Sequence, residues 1–262
     1  MSELSAEIDV SRSDGVQTIR IQRPDKKNAL LPEMYTAMYT ALVDGDEDDD
    51  VRAHIIVGSG GVFSAGNDIK DFMQRASGGA ATVGETPVHR FIGYLPKVEK
   101  PLIAAVDGLA IGVGVTLLFH CDLVYASPSA RLITPFLDLG LVPEAGSSLL
   151  APRRMGHARA FEMLALGEPF TGERAREAGL VNAVVDSDEL EATARKAALR
   201  LAAKPPGALK VARDLIRGAS VDEIVERLET ESHLFADRMT SPEAREAFQA
   251  FVEKRPPNFK DL

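Results

Sequence analysis

The chain has 262 residues, of which 45% are hydrophobic, and a formal net charge of -9 at pH 7. A chain of this length can bury roughly 70–75% of its unfolded surface, which is enough for one large domain. The negative charge repels nucleic acid and anionic lipid, so we expect no nucleic-acid partner and no membrane partner. The first residues lack the features of a secretory signal and no apolar run approaches the ~20 residues of a membrane span, so we expect a cytoplasmic protein.

The cysteine and histidine content argues against a disulfide and against a metal site. Cys121 is the single cysteine, which excludes an internal disulfide and fits a reducing compartment. The five histidines show no zinc-ligand spacing, and the acidic run at 44–50 lacks the ligand spacing of a calcium loop. We therefore predict no metal site.

The first predicted elements are two antiparallel strands. Residues 6–21 alternate polar and apolar side chains on either side of Asp14-Gly15, a dipeptide that tolerates positive φ and closes tight hairpins. Pro32 then opens a helical pattern that continues through Leu42. We interpret the acidic run at 44–50 as the solvated exit of this helix.

The middle of the chain repeats one design. A short apolar strand at 54–57 leads through a glycine- and serine-rich loop into an amphipathic helix that starts near Asp68. A second strand at 102–106 leads through Gly112 into a helix that reaches about Phe119. Two β-turn-α units of similar shape predict stacked repeats in a superhelical α/β core.

Further strands near 123–126 and 182–185 continue this pattern. Between the two units, residues 76–86 contain Ser77-Gly78-Gly79-Ala80-Ala81, a composition that packs poorly. We expect the segment 76–86 to be mobile and to act as a lid.

The last stretch is predicted to be helical. Lys204-Pro205-Pro206 marks a break, because proline cannot continue a helix. Helical patterns follow at 207–217, 221–239 and 242–253. The sequence therefore divides into a core, residues 1–203, and a C-terminal helical module, residues 204–262.

The three C-terminal helices carry apolar residues on more than one face, more than a tail of about 55 residues could bury alone. We expect these residues to pack on a neighbouring subunit. Examples are Leu228, Leu234, Phe235, Phe248 and Phe251.

Two glycine-containing turns are candidates for binding an oxygen atom. Gly66-Asn67 and Gly112-Val113 each lie where a strand turns into a helix, which leaves backbone N–H groups free. Two such turns can form an oxyanion hole, because glycine lets a ligand approach the backbone. The residues alone favour close packing of the glycines equally. A dinucleotide loop is disfavoured, since Leu117 stands at the third glycine position and no acid follows about 20 residues on.

A nucleophile cluster is a weaker interpretation of His120-Cys121-Asp122. Adjacent residues at a helix end point in different directions and cannot form a triad. The chain also has no Gly-x-Ser-x-Gly elbow, so we expect these residues to belong to the core.

Several short motifs stand in one order along the chain. They are Asn28-Ala29-Leu30, Phe63-Ser64-Ala65-Gly66-Asn67-Asp68, Lys100-Pro101-Leu102-Ile103-Ala104-Ala105-Val106, Cys121-Asp122-Leu123-Val124-Tyr125-Ala126 and Phe251-Val252-Glu253-Lys254-Arg255. These motifs resemble those of the crotonase, or enoyl-CoA hydratase/isomerase, superfamily, and the resemblance covers nearly the whole chain. It implies an acyl-CoA thioester substrate, with coenzyme A as part of the substrate and no separate cofactor.

The same resemblance implies a crotonase-like ββα superhelix of the α/β class. It also implies that the C-terminal helical module builds homotrimers, commonly paired into dimers of trimers. In such a fold the N–H groups of Asn67 and Val113 hold the thioester carbonyl. The substrate-binding positions implied by the resemblance are Lys27, Ala29, Leu30, Ser64, Ala65, Gly66, Asp68, Ile69, Gly112, Thr116, Phe136, Phe259 and Lys260.

Two of those implied positions lie in the C-terminal tail. The resemblance places two basic regions around the adenine and its phosphate: Lys26 and Lys27, and a tail from an adjoining subunit that carries Lys254, Arg255 and Lys260 near Phe259. For Lys27 and Lys260, each taken alone, a solvated surface charge is at least as good an explanation.

Membership of this superfamily does not fix the reaction, so the acids must be counted. Its hydratases use two glutamates, and the corresponding positions in this chain are Thr116 and Phe136. Neither side chain can act as an acid or base near neutral pH, and each acid–base contribution is worth roughly 10²- to 10⁴-fold in rate. The two substitutions argue against water addition.

Glu144 is the candidate acid–base residue. It lies in Pro143-Glu144-Ala145-Gly146-Ser147-Ser148, which resembles the Pro-Glu-Gly-x-Ser-Ser element of the Δ3,Δ2-enoyl-CoA isomerase branch, where the single glutamate is the acid–base residue. Ala145 departs from the glycine of some relatives. From the residues alone, Glu144 is better explained as an acid that begins the helix after Pro143, where it suits the helix dipole.

The resemblance therefore predicts an isomerase that shifts the double bond of 3-enoyl-CoA into conjugation, with Glu144, Asn67 and Val113 as catalytic groups. Three alternatives stay open: an enoyl-CoA hydratase with an unusual acid, another thioester-enolate reaction, and an acyl-CoA-binding scaffold without chemistry.

Overall fold

The computed structural model describes residues 5–68, 73, 86–217, 221–260 and 262. The strands in these residues are β1 (Ile8–Ser13), β2 (Val16–Ile21), β3 (Ala53–Gly58), β4 (Leu102–Val106), β5 (Leu109–Ile111), β6 (Leu123–Ala126), β7 (Arg131–Ile133), β8 (Phe170–Thr171) and β9 (Ala183–Val184). The α-helices are α1 (Pro32–Glu47), α2 (Pro87–Tyr94), α3 (Val113–Thr116), α4 (Ser147–Met155), α5 (His157–Leu164), α6 (Gly172–Glu177), α7 (Ser187–Ala202), α8 (Pro206–Arg217), α9 (Val221–Met239) and α10 (Pro242–Glu253).

Two sheets organise the strands. The larger has the order β1-β2-β3-β4-β6-β9, and the smaller has the order β5-β7-β8. In the larger sheet only β1 and β2 pair antiparallel, through the predicted turn, where Asp14 has φ 52° and Gly15 φ 75°. The predicted α/β class and the predicted hairpin are confirmed.

The central strands are buried on both faces. In β3, Ile56 faces the main apolar core while Ile55 faces a second, smaller cluster, and Ala104 and Ile103 of β4 divide in the same way. Helix α7 covers the smaller cluster. Parallel strands covered on both faces need near-continuous apolar sequence, and β3 and β4 have it.

The expectation of a solvated acidic exit from the first helix holds for Asp44, Glu47, Asp49 and Asp50, which are exposed, but is wrong for Asp46. Helix α1 runs to Glu47, five residues past the predicted end, and Asp46 in the acidic run is not solvated. Its side chain is 4% exposed and lies 3.1 Å from the ring nitrogen Nε2 of His54. A buried hydrogen-bond partner, which local sequence does not reveal, keeps this acid in the core.

The C-terminal helices have nearly their predicted bounds. Leu228 and Phe248 are buried in the main core of the same chain, so the expectation that they pack on a neighbouring subunit is wrong. On α8, by contrast, Leu215 and Ile216 are 77% and 83% exposed. The division at residue 203 stays a prediction. The helix predicted to start near Asp68 falls outside the described residues, apart from Asp68 itself and the isolated Met73. Of the predicted lid 76–86, only Thr86 is described.

Candidate active site

A cavity of about 950 Å³ brings together turns of the core and the C-terminal helices. Its wall contains many of the positions predicted from sequence: Ala29, Ala65, Gly66, Asn67, Asp68, Gly112, Val113, Phe136 and Glu144. Both predicted oxyanion turns and the candidate acid therefore open into one space. We take this cavity as the candidate active site.

The two glycine turns lie against each other. Gly66 has φ 79° and Gly112 has φ 54°, a region that glycine enters without steric cost. A Cβ atom at Gly66 would stand 2.7 Å from the carbonyl oxygen of Ile111. A side chain at this position would push the two turns apart.

The amide N–H groups of Asn67 and Val113 have no hydrogen-bond acceptor in the described part of the chain. The adjacent amide of Gly112 is occupied, because it donates to the carbonyl of Ile133 at 2.9 Å. The Tyr35 hydroxyl donates to Oδ1 of Asn67 at 2.7 Å, which fixes that side chain. Two preorganised donors on one cavity wall can stabilise developing negative charge on an oxygen atom.

The loop that carries Glu144 has a tightly held backbone. Ala145 and Gly146 have φ values of 57° and 72°. The amide and hydroxyl of Ser147 both donate to the Glu144 carbonyl, at 3.1 Å and 2.6 Å. The His120 ring donates from Nε2 to the Ala145 carbonyl at 2.7 Å. Because α4 begins only at Ser147, Glu144 belongs to this loop and not to the helix.

The Glu144 carboxyl is buried on the cavity wall, with 8% of the residue exposed. Thr116 donates its hydroxyl to Oε1 at 2.6 Å. Burial raises the pKa of Glu144 to about 7; the hydrogen bond from Thr116 opposes the rise and the negative charge of Glu231 adds to it. A carboxyl with a pKa near neutrality can both accept and return a proton.

The rest of the cavity wall is largely apolar. The apolar residues in it are Ala29, Leu31, Ala65, Ile111, Val113, Pro135, Phe136, Leu139, Leu141, Phe235, Ala247, Phe251 and Pro257. Such a surface suits an acyl chain and gives a water molecule few partners.

His120 and Cys121 do not form a nucleophilic pair. Burial lowers the pKa of His120 to about 4 and raises the pKa of Cys121 to about 12, so both are neutral near pH 7. The described residues contain no group of three or more His, Cys, Asp or Glu side chains that could hold a metal ion. Within the same residues, no helix is both long and apolar enough to cross a membrane.

The family model for enoyl-CoA hydratase/isomerase matches residues 11–262. The chain belongs to the enoyl-CoA hydratase/isomerase family. The prediction of a crotonase-superfamily fold is thereby confirmed, and members of this family act on acyl-CoA thioesters.

Individual members of the family agree with this assignment. The chain is 34% identical to 1,2-epoxyphenylacetyl-CoA isomerase of Escherichia coli over 249 residues, which cover 94% of this chain and 95% of the relative. It is 36% identical to enoyl-CoA delta isomerase 2 of Rattus norvegicus over 94% of its own length, but it spans only 63% of that relative. The solved structure of Pseudomonas aeruginosa OdaA superimposes with a TM-score of 0.90 at 43% identity, covering 95% of this chain and 99% of the other.

Several predicted substrate-binding positions of this family member lie behind the cavity wall. Leu30 is fully buried, and its carbonyl accepts from the Asp68 amide at 3.0 Å. The Ser64 hydroxyl donates to the Asn28 carbonyl at 2.9 Å and accepts from the Gly66 amide at 3.1 Å. Leu30 and Ser64 thus shape the first oxyanion turn, as Thr116 shapes the Glu144 carboxyl.

Other predicted positions are not part of the wall. Lys26 contributes to the cavity, whereas its neighbour Lys27 does not. Phe259 and Lys260 are exposed and do not line this chain's own cavity, so a contribution from an adjoining subunit stays a prediction. Ile69 lies outside the described residues.

Two arginines line the cavity: Arg255, which belongs to the predicted basic tail, and Arg23, which the sequence analysis missed. Arg23 donates to Oδ2 of Asp68 at 2.8 Å and to the Ala29 carbonyl at 3.0 Å. Arg255 donates to both carboxylate oxygens of Glu246, at 2.6 Å and 3.0 Å. No motif signals Arg23, because its place at the cavity depends on the fold of the turn that follows it.

The C-terminal helices supply part of the wall. Phe235 of α9 and Ala247 and Phe251 of α10 line the cavity. Phe235 packs against the main core of its own chain, so the expectation that it packs on a neighbouring subunit is wrong. Phe251 and Leu234 are 56% and 52% exposed, so for them a subunit contact stays a prediction. Sequence periodicity shows that these helices have apolar faces, but not which neighbour covers them.

Proposed function

We propose that the protein is a Δ3,Δ2-enoyl-CoA isomerase that moves the double bond of a 3-enoyl-CoA thioester to the 2-position. Glu144 would act as the single acid–base residue, and the amides of Asn67 and Val113 would hold the thioester oxygen. The observation that carries the proposal is one buried carboxyl, with a pKa of about 7, on the same cavity wall as two amide donors that have no acceptor among the described residues.

The reaction needs one proton and no water. Glu144 takes a proton from C2, and the electrons of the C2–H bond delocalise into a dienolate whose charge rests on the thioester oxygen. The two amide donors stabilise that charge; removing one donor of this kind typically costs about 10²- to 10³-fold in rate. Protonated Glu144 then delivers the proton to C4, and the double bond moves from C3–C4 to C2–C3.

The apolar wall supports this chemistry. Phe136 is 5% exposed and lies in the same cavity as Glu144. A dienolate survives longer where bulk water cannot protonate it, so an apolar side chain protects the intermediate. Because the proton donor and acceptor are the same carboxyl, the proposed reaction requires no separate cofactor.

Hydration of a 2-enoyl-CoA is the competing reaction within the family. Besides Glu144, two carboxylates among the described residues line the cavity: Asp68, which is paired with Arg23, and Asp138, which is exposed. A hydratase would need one of them as the second acid. The substitutions Asp68→Asn and Asp138→Asn therefore test both candidates for that second acid.

The experiment compares 3-hexenoyl-CoA isomerisation with crotonyl-CoA hydration in the wild-type protein, Glu144→Gln, Asp68→Asn and Asp138→Asn. We expect isomerisation in the wild type and a fall of about 10²- to 10⁴-fold in Glu144→Gln. Thermal unfolding of each variant checks that the fold is retained. Hydration that exceeds isomerisation and is lost in either Asp68→Asn or Asp138→Asn would contradict the proposal and favour the hydratase.

A non-enzymatic scaffold predicts a third pattern. In that case acyl-CoA would raise the melting temperature of the protein, while no thioester would be turned over. We further propose that coenzyme A is bound as part of the substrate and that the chain assembles into homotrimers or dimers of trimers, which analytical ultracentrifugation with and without acyl-CoA would test.

A further inference from the structure

A buried carboxylate from the C-terminal helices meets the loop that carries Glu144. Glu231 of α9 is 4% exposed. Its Oε2 accepts from the Gly146 amide, and its Oε1 accepts from the Ser148 amide, at 2.5 Å and 2.9 Å. Each oxygen of the carboxylate thus has its own backbone donor, and both donors lie within four residues of Glu144.

Other bonds hold the carbonyl groups of this loop: Ser147 donates to Glu144, His120 donates to Ala145, and the amides of Leu149 and Leu150 donate to Gly146. Glu231 instead holds two amides of the loop, and one of them belongs to Gly146, which has φ 72° and carries no side chain. Arg227, one turn before Glu231 on α9, donates to the Ser148 hydroxyl at 3.2 Å. Arg153 of α4 pairs with Glu223 of α9 at 2.6 Å, but that pair is largely exposed. Exposed pairs contribute little, so Glu231 is the main polar link from α9 to the loop.

We propose that Glu231 is a positioning residue, which acts through the amides of Gly146 and Ser148 to hold the Glu144 carboxyl in the cavity. This inference deepens the proposed function and rests on it for its kinetic test. It joins the C-terminal helical module to the chemistry, because a residue beyond position 203 sets the geometry of the proton carrier. Misplacing a catalytic group by about 1 Å can cost on the order of 10²-fold in rate.

The charges around the two carboxyls decide the sign of the pH effect. Glu144 faces the Thr116 hydroxyl and the Glu231 carboxylate. Glu231 faces Ser148 and Arg227, and His120 near Gly146 is neutral above about pH 4. A negative charge near an acid disfavours its ionised form, so removing the Glu231 charge lets Glu144 lose its proton at lower pH.

The kinetic test uses Glu231→Gln and Glu231→Ala, with Glu229→Gln as the matched control, since Glu229 is exposed on the same helix. We expect kcat for 3-hexenoyl-CoA to fall by about 10²-fold in Glu231→Ala, with KM changed by only a few-fold. Glu231→Gln, which keeps one acceptor oxygen, should fall less. The midpoint of the rise in kcat/KM with pH should move below its wild-type position in both variants and stay in place in Glu229→Gln.

A direct titration keeps the inference independent of the reaction. The carboxyl of Glu144 is followed by ¹³C NMR in protein labelled at glutamate side chains, and its signal is identified by its absence in Glu144→Gln. The expected result is a lower midpoint in Glu231→Gln than in the wild type, whether or not any thioester is turned over. A midpoint that does not move, in folded variants with unchanged kcat, would overturn the inference; absence of wild-type isomerisation with a moved midpoint would overturn only the proposed function.

Discussion

At the scale of single residues, the chemistry depends on what surrounds one carboxyl. Glu144 has a pKa of about 7 because burial outweighs the hydrogen bond that Thr116 donates to it. The sequence analysis matched Thr116 to a position where hydratases of the family carry a glutamate; in the structure its hydroxyl instead tunes the Glu144 carboxyl.

Thr116→Val tests that tuning. The hydrogen bond from Thr116 favours the ionised carboxyl, so its loss raises the pKa of Glu144 further. In the proposed reaction Glu144 must start as a base, so we expect kcat/KM to rise with pH, with a wild-type midpoint near pH 7. In the variant we expect this midpoint at higher pH, with activity reduced several-fold at pH 7 and largely recovered above the new midpoint.

Thr134→Val is the control for this measurement. Thr134 is also fully buried, and its hydroxyl donates to the Met163 carbonyl outside the cavity wall. We expect Thr134→Val to lower the stability of the protein without moving the midpoint of the rise in kcat/KM with pH. Equal midpoints in Thr116→Val and the wild type would contradict the role given to Thr116.

At the scale of elements, the loop before α4 stores backbone strain. Ala145 is 1% exposed and has φ 57°, a conformation that costs a residue with a Cβ atom roughly 1–2 kcal/mol. Ala145 stands where some relatives with the Pro-Glu-Gly-x-Ser-Ser element have glycine. In the structure this position has a positive φ, which alanine adopts at a cost and glycine does not.

Ala145→Gly should therefore change stability little, because the loss of a buried methyl group is offset by the relief of strain. Ala151 is equally buried but lies inside α4, so Ala151→Gly loses both the methyl group and helix propensity, a cost of about 1 kcal/mol or more. Urea unfolding of both variants should give free energies that differ by about 1–2 kcal/mol. Equal losses would show that Ala145 is not strained.

The second elemental feature is the junction of α1, β3 and the turn before β4. The Asp46 carboxylate accepts from the Tyr94 hydroxyl at 2.9 Å and from the amides of Glu99 and Lys100 at 2.9 Å and 3.1 Å. Burial by itself would raise the pKa of Asp46, but the hydrogen bonds from His54 and the Glu99 amide outweigh it and lower the pKa. The stability that Asp46 contributes is therefore present above its unfolded pKa and lost as the pH falls through the lower folded value.

Asp46→Asn replaces a carboxylate oxygen, which accepts hydrogen bonds, with an NH₂ group, which donates them. Buried donors that bond to Asp46 therefore lose their acceptor. We expect a loss of roughly 2–4 kcal/mol in the free energy of unfolding at pH 7, measured with urea. Asp49→Asn, at an exposed position of the same acidic run, should change it by less than about 0.5 kcal/mol. A similar small effect at both positions would contradict the assigned network.

At the scale of the whole molecule, the C-terminal helices contribute both to the cavity wall and to an exposed apolar surface. Phe235 and Phe251 line the cavity, whereas Leu215 and Ile216 of α8 point away from the core and are largely exposed. Monomeric proteins rarely leave large apolar side chains clustered in water, so such a surface favours contact with another subunit.

Leu215→Glu tests assembly through α8. We expect the wild-type protein to sediment as a trimer or a larger multiple and the variant as a smaller species with unchanged far-UV circular dichroism. Lys196→Glu, an exposed position on α7, should sediment like the wild type. A monomeric wild-type protein, or a variant of unchanged mass, would contradict a subunit contact at this surface.

The sequence by itself determined the elements whose causes are local. Asp14-Gly15 set the hairpin, the apolar runs of β3 and β4 set two strands, and proline at 205–206 set the start of the C-terminal helices. Motif order was enough for the family, and glycine at positions 66 and 112 was enough to locate the two turns, because positive φ near a ligand restricts a position to glycine.

Only the tertiary structure decided which distant residues share the site and how each is tuned. Thr116 and Glu231 each lie 28 or more positions from Glu144 along the chain. Thr116 nevertheless bonds to the Glu144 carboxyl, and Glu231 bonds to the loop that carries it. Burial, electrostatic fields and hydrogen bonds depend on distance in space, and local sequence patterns carry no record of that distance. For the same physical reason the sequence left Asp46 on the surface and Phe235 on a neighbouring subunit, while packing put the first in the core and the second on the cavity wall.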